Sequence, residues 1–265
     1  LEELYDAAVS AAKSAGKFVQ KQVSQFKQVD HKGRADLVTN IDRDSESMIV
    51  KHISERFPEH AIIAEENDYE KRDHDYRWVI DPLDGTTNYV HGYRHYAVSI
   101  ALHIKREPAI GVVFDPANNE LFTAIRGRGA FLNDQKIQVS ETSQLLNCML
   151  VTGIPYDLDE RWHRSFDLFK AFYYRTQGVR RDGSAALDMC YVASGRFDGF
   201  WEYNLHPWDV AAAMLIVQEA GGQVSDFRNG KSSIFDAEVL ATNGKIHQKM
   251  LEVIQEFPGF SDKEE

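Results

Sequence analysis

Between residues 96 and 139 the chain carries five short apolar stretches in succession, YAVSIALHI, AIGVVF, LFTAI, AFLN and KIQVS, with turn pairs such as Asp115-Pro116 and Asn118-Asn119 between them. Alternation at period two, interrupted by turn-forming residues, predicts consecutive antiparallel strands joined as a meander. A sheet of this kind keeps an apolar face that another layer must cover. The flanking sequence supplies such layers. Leu4, Ala8, Ala11, Ala15, Phe18 and Val19 recur at helical spacing within 4–26, and Ile41, Met48, Ile49, Ile53 and Phe57 do so up to Pro58, predicting two amphipathic helices. Two short apolar runs follow, AIIA at 61–64 and WVI at 78–80, each read as a buried strand that ends on acids.

After residue 139 the pattern alternates. CMLVTGI, GVR, DGFWEY, QVSDF and EVLATN read as strands, and 161–174, 184–193, 208–220 and 245–257 as helices. Helices and strands in mixed runs predict layered α and β, not a regular βα barrel. A soft boundary at 140–147 divides 1–142, the α+β half with the meander, from 143–265, an α/β half, within one expected domain, 1–265. The polar tail SDKEE is expected to fray.

The acids raise the chemical question. In WVIDPLDGTTNYVHG, Asp81 and Asp84 flank Pro82 and Leu83 and run into Gly85-Thr86-Thr87; Glu65 follows AIIA, and Asp209 opens PWDVAAAMLIVQEAGG. Carboxylates gathered from separate strand ends and a helix start repel one another unless cations sit among them, and hard oxygen donors select magnesium or manganese. Carboxylates shared between two ions about 4 Å apart suit phosphate-ester hydrolysis. Gly85-Thr86-Thr87 offers backbone N–H donors, and a helix starting there points its positive end at a phosphate. Any one of these acids alone fits a helix cap or a turn. The full set exceeds what a cap needs.

Composition bounds the partners. Among 265 residues, 43% are hydrophobic and 27% charged, as in ordinary globular chains. A formal net charge of -11, from 41 acids against 30 bases, argues against a nonspecific grip on nucleic acid. The longest apolar run, 210–217, is far short of the roughly 18 residues of a membrane span. Cys148 and Cys190 make no disulfide framework, and LEELYDAAVS lacks a positive signal-peptide region, so a cytoplasmic protein is expected.

WVIDPLDGTTNYVHG resembles the first signature of the inositol monophosphatase family and PWDVAAAMLIVQEAGG its second; ADLVTNIDRDSE and IIAEEN resemble its upstream elements, and GSAALDM its substrate-loop segment. These matches stand in the family order across about 4–255, and the chain is similar to bacterial members in particular. The resemblance implies a layered α-β-α-β-α sandwich of the sugar phosphatase type and a magnesium-dependent phosphomonoesterase acting on inositol monophosphate and related small polyol phosphates. It implies that Glu65, Asp81 and the Leu83 carbonyl hold one Mg2+, that Asp81, Asp84 and Asp209 hold another, and that a third, looser ion touches Glu65. Mn2+ is an alternative.

In the same implied scheme Thr86, paired with Asp42, takes a proton from the attacking water, with Glu65 beside it among the catalytic residues. Asp84, Gly85, Thr86, Gly183, Ser184, Ala185, Glu202 and Asp209 bind the substrate. The resemblance further implies a homodimer and lithium inhibition, and the loop carrying HKGRADLVTN is suspected to close over the third ion. Ser184 stands where relatives commonly have Thr, preceded by Arg180-Arg181 and Asp182, which leaves open fructose 1,6-bisphosphate, the 2'-phosphate of NADP and 3'-phosphoadenosine 5'-phosphate.

Other patterns carry less. A haloacid-dehalogenase-type site wants its two acids two apart, whereas Asp81 and Asp84 are three apart, favouring direct water attack. A regulatory protein-binding role with incidental catalysis also stays open. His91 and His95, four apart, lack a third zinc ligand and read as structural or near-site residues. His206 reads as a loop or substrate-contacting histidine. Trp78, Trp208 and Phe200 read as core, and Phe166, Phe169 and Tyr173 as a buried or dimer-facing stripe.

Overall fold

The computed structural model describes residues 1–23, 29–31, 37–69, 74–156 and 158–257. The expected end of the first helix, residues 32–36 of HKGRADLVTN with its suspected closure, and the SDKEE tail lie outside the described residues. In chain order the first half comprises α1 (Glu2–Gln22), β1 (Val29–His31), β2 (Leu37–Thr39), α2 (Asn40–Arg56), β3 (Ala61–Ala64), β4 (Tyr76–Asp84), α3 (Thr86–His91), β5 (Ala97–Ile104), β6 (Glu107–Asp115), β7 (Glu120–Ile125), β8 (Ala130–Leu132) and β9 (Gln135–Ile137). The second comprises β10 (Met149–Thr152), α4 (Glu160–Arg175), β11 (Gly178–Arg180), α5 (Ala185–Ala193), β12 (Gly199–Tyr203), α6 (Pro207–Glu219), β13 (Gln223–Ser225), β14 (Glu238–Thr242) and α7 (His247–Gln255).

The predicted meander is present, β5 to β9 each pairing antiparallel with the next, and β4 and β3 extend it to a seven-stranded sheet. Side-chain alternation sorts this sheet between two neighbours. Trp78, Ile80, Ile100 and Val112 pack against Ala8, Ala12, Ile49 and Ile53 of α1 and α2, whereas Val79, Ala101 and Val113 face Ala186, Ala212 and Ile216 of α5 and α6. The other side of that helical layer meets Val151, Phe200 and Ala241 of a five-stranded sheet, order β11-β10-β12-β14-β13. Leu168 and Phe172 of α4 and Met250 of α7 cover its far face through Leu150 and Leu240. The result is the α-β-α-β-α sandwich that the resemblance implies.

Three expectations change. The WVI strand does not stop before its acids: β4 runs on through Asp84, with a register shift between Asp81 and Asp84. Proline has no N–H for a regular ladder, so Pro82 goes with the irregularity. On α4 the buried stripe is Ser165, Leu168, Ala171 and Phe172, with Phe169 partly buried beside it, while Phe166 and Tyr173 are exposed, which removes the buried alternative for those two and leaves the dimer-facing one. Trp208 is half-buried, stacked on His206, whereas Trp78 and Phe200 are fully buried. No helix among the described residues is long and apolar enough to cross a membrane.

Candidate active site

The irregular end of β4 is built from its own acids. Asp81 Oδ1 accepts the Leu83 amide at 2.9 Å, and the Pro82 carbonyl accepts Ser45 Oγ of α2 at 3.0 Å. Gly85 then turns the chain with φ +88°, a left-handed value that glycine adopts without steric cost. A Cβ there would also sit 3.0 Å from the His95 carbonyl. The turn delivers Thr86 to the start of α3. Its Oγ1 lies 2.7 Å from Asp42 Oδ1 and 3.0 Å from the Leu83 carbonyl, two acceptors for one hydroxyl proton. The other Asp42 oxygen accepts the Thr39 amide at 2.9 Å, closing the first turn of α2. Asp42 is wholly buried, and burial raises its pKa against the opposing bonds from Thr39 and Thr86.

Glu65 stands in the loop after β3, which is fixed from α2. Buried Glu46 accepts the Glu66 amide at 2.7 Å on one oxygen, and Asn67 Nδ2 at 2.8 Å and Tyr69 OH at 3.0 Å on the other.

The facing wall comes from the helical layer. Asp84 Oδ2 accepts Ser184 Oγ at 2.6 Å and the Ala186 amide at 2.8 Å, so the β4 acid caps the first turn of α5. Asn88 Nδ2 lies 2.7 Å from the His95 carbonyl and 2.8 Å from that of Asp182, tying the α3 turn to the loop before α5. Asp209 Oδ2 accepts the His206 amide at 2.7 Å at the start of α6. Glu202, on β12, lies against Gly153, where a Cβ would come within 1.9 Å of its Oε1.

These elements enclose a cavity of about 490 Å3. Glu65, Asp81, Leu83, Asp84, Gly85, Thr86, Gly183, Ser184, Ala185, Glu202 and Asp209 all line it; of the expected site residues only Asp42 stands behind the wall, joined through Thr86. Asp81 is raised well above the usual carboxylate range by burial first, then by Glu65, Asp84 and Asp209. Burial also raises Asp84 against its bonds from Ser184 and Ala186, and raises Glu202 strongly, with Asp188 adding to it. Acids destabilised by one another are a chemical fit to hard divalent cations, since every donor here is oxygen and a cation removes the repulsion.

Among the described residues one trio has its ligand atoms within 4.8 Å of one another: His95, Asp182 and Asp188. It could hold a cation, and no trio from the acid wall meets that spacing. His95 Nε2, however, already lies 3.0 Å from Asp188 Oδ1 in a buried hydrogen bond, and nitrogen suits magnesium less well than carboxylate oxygen. The acid wall is therefore the better-matched donor set. His91 is exposed and shares no site with His95.

Glu46, Asn88, Asp188 and Gly153 were not singled out from sequence. A signal existed for one of them: Asp42, Ser45, Glu46, Ile49 and Ile53 share one face of α2, so Glu46 is a charge placed on an apolar stripe.

Comparison with known proteins agrees along nearly the whole chain. The sequence profile described as "Inositol monophosphatase family" matches residues 1–258. The chain is 44% identical over 260 residues to an inositol-1-monophosphatase of Synechocystis, covering 97% of this chain and 91% of that protein. It is 42% identical over 266 residues to the Nus factor SuhB of Pasteurella multocida, covering 99% of each. A crystal structure of the suppressor protein SuhB from Bartonella henselae superposes with a TM-score of 0.92 at 39% identity, covering 96% of this chain and 98% of that one.

Proposed function

The chain belongs to the inositol monophosphatase family and is a magnesium-dependent phosphatase of that fold, and on that premise we propose that it hydrolyses inositol monophosphate and related small polyol phosphates by direct attack of water on phosphorus. The observation that carries this is the gathering of Glu65, Asp81, Asp84 and Asp209 with the Gly85-Thr86 turn around one polar cavity. Glu65, Asp81 and the Leu83 carbonyl would hold one Mg2+, and Asp81, Asp84 and Asp209 a second, with a looser third at Glu65 or Mn2+ in their place. Bound there, such ions neutralise phosphate charge and acidify water.

The rest is done by the chain. Thr86 Oγ1 accepts a proton from the attacking water as its own hydroxyl proton passes to Asp42 Oδ1, 2.7 Å away. An Asp42 carboxyl raised by burial is a better proton acceptor than an ordinary one. Backbone N–H groups at Gly85 and Thr86 face the phosphate at the first turn of α3. Glu202, Asp84 and Asp209 accept from the polyol hydroxyls, while Gly183, Ser184 and Ala185 form the facing edge of the cavity. The rate enhancement is mostly positioning and charge neutralisation.

Phosphate release from inositol 1-phosphate, fructose 1,6-bisphosphate, NADP (2'-phosphate) and 3'-phosphoadenosine 5'-phosphate, at saturating magnesium, ranks the substrates. Inositol phosphate falling last by orders of magnitude rejects the assignment. The name of the Pasteurella relative, a Nus factor, favours a second role in which the chain also engages a regulatory partner. Homodimer formation through the exposed face of α4, at Phe166 and Tyr173, and a cytoplasmic setting belong to the same proposal; sedimentation of wild type against Phe166→Ser tests the dimer.

A further inference from the structure

At the end of β4 remote from its acids, a second cavity of about 330 Å3 is lined by His74, Asp75, Arg77, His103, Lys105 and Arg106. Arg77 and His103 are directly opposed on antiparallel β4 and β5, so their side chains leave the same face of the sheet. Lys105 and Arg106 form the two-residue turn from β5 to β6, with φ of 53° and 68°. Such turns favour Asn and Gly, and a Lys-Arg pair holds there against backbone strain. The Lys105 amide donates to the Asp75 carbonyl at 2.7 Å, pinning the turn against the entry to β4.

Arg77, Lys105 and Arg106 face one acid of the lining, Asp75, and among the described residues none of the three forms an ion pair; neighbouring Glu107 is engaged by Lys231 at 3.4 Å. Three cations against one acid in a single cavity stand out on a chain of net charge -11. His103 is 6% exposed, and its Nε2 is buried with no hydrogen-bond partner among the described residues. A buried polar nitrogen left this way costs stability, so His103 is held beside the cations at a desolvation cost.

We infer that this cavity binds a small phosphate-bearing anion at a site separate from the acid-walled one. Phosphate oxygens accept from guanidinium and ammonium groups, the donors that Arg77, Lys105 and Arg106 bring to this cavity. A divalent cation is repelled by the same three charges. Burial is the main cause that presses the His103 pKa down to about 4; a backbone bond with Arg106 and the Glu107 charge oppose it, and Arg77 and Arg126 add to it. Arg77 and Asp81 are four residues apart on one strand, about 13 Å, so an anion held here is not the one beside Thr86.

The test uses the whole protein, stripped of metal on chelating resin, a state in which the acid-walled cavity repels anions. Inorganic phosphate and glycerol 1-phosphate are titrated separately by calorimetry into wild type, Arg77→Gln, Arg106→Gln and Asp84→Asn. One saturable site is expected in wild type, weakened about tenfold or more in each arginine variant and unchanged in Asp84→Asn; the tighter ligand shows whether the free ion or an ester is preferred. Arg106 is exposed, so its variant keeps the fold, as thermal melting checks. No saturable binding to wild type, wild-type affinity in both arginine variants, or a loss confined to Asp84→Asn overturns the site. Phosphate release on restoring magnesium is read independently, so a failure of the proposed hydrolysis leaves this result standing.

Discussion

Thr86 Oγ1 and Asp42 Oδ1 stand 2.7 Å apart across 44 positions of the chain. One buried carboxylate thereby closes the first turn of α2 with one oxygen and receives the Thr86 hydroxyl with the other. An amide at 42 can cap but cannot take up a proton. Asp42→Asn is expected to lower kcat by about 10²–10⁴ with KM within a few-fold, while Thr86→Ser keeps most of the rate. Steady-state kinetics on both variants decide it; a near-normal kcat for Asp42→Asn removes the relay.

Glu46 touches no cavity atom, yet its two oxygens fix three groups of the loop that carries Glu65. Glu46→Gln turns an N–H toward one of those donors, leaving buried groups unpaired. If Glu65 binds metal as proposed, support lost behind it costs about 10–100-fold in metal affinity. The magnesium concentration for half-maximal rate should rise by that factor, with kcat recovering at saturation. An unshifted magnesium curve shows that the loop holds itself.

Gly153→Ala would drive a methyl into the Glu202 carboxylate, 1.9 Å from Oε1. Glu202 must swing away. For a polyol phosphate, kcat/KM should fall by about tenfold or more, and a phosphate ester without neighbouring hydroxyls should lose less. Equal losses on both substrates place Glu202 outside polyol recognition.

His247 supplies a pH test away from the site. Its Nε2 lies 2.9 Å from Ser225 Oγ, whose proton goes to the Asp226 carbonyl, and its Nδ1 lies 2.9 Å from Thr242 Oγ1. This network fits the neutral ring, and burial lowers the pKa from 6.5 to about 4. The folded pKa is the lower one, so this contribution is fully present above 6.5 and is lost as pH falls from 6.5 toward 4, when only the unfolded chain takes up the proton. The loss is on the order of 3 kcal/mol. Urea unfolding at pH 7 and pH 4.5 should show His247→Gln less stable at pH 7 but less sensitive to acid than wild type. Parallel slopes contradict the assignment.

The meander was legible because each strand alternates and each break is a turn, and the helices because their apolar stripes keep helical spacing. The acids were legible as a group because no single cap needs so many. Less visible was where strand gives way to turn. Asp81 and Asp84 read as residues beyond a short apolar run, yet neighbouring β5 keeps them in β4 by pairing that a local window does not contain. Spacing alone left Phe166 and Tyr173 open between the core and a dimer face, because one residue of phase, about 100° on a helix, separates the buried stripe of α4 from its aromatic surface. Asn88 and Asp188 act across 94 and 93 positions, on Asp182 and His95, and no spacing in the sequence encodes that.

In the proposed scheme the buried acids of β4, with Glu65 and Asp209, form a seat for divalent cations on which hydrolysis depends. Phosphate release from inositol 1-phosphate by protein stripped on chelating resin, then repleted with Mg2+, measures it directly. A rate that drops by about 10³ or more on stripping and returns with Mg2+ in wild type, but not in Asp84→Asn, is the expected result. The same rate with and without metal contradicts it.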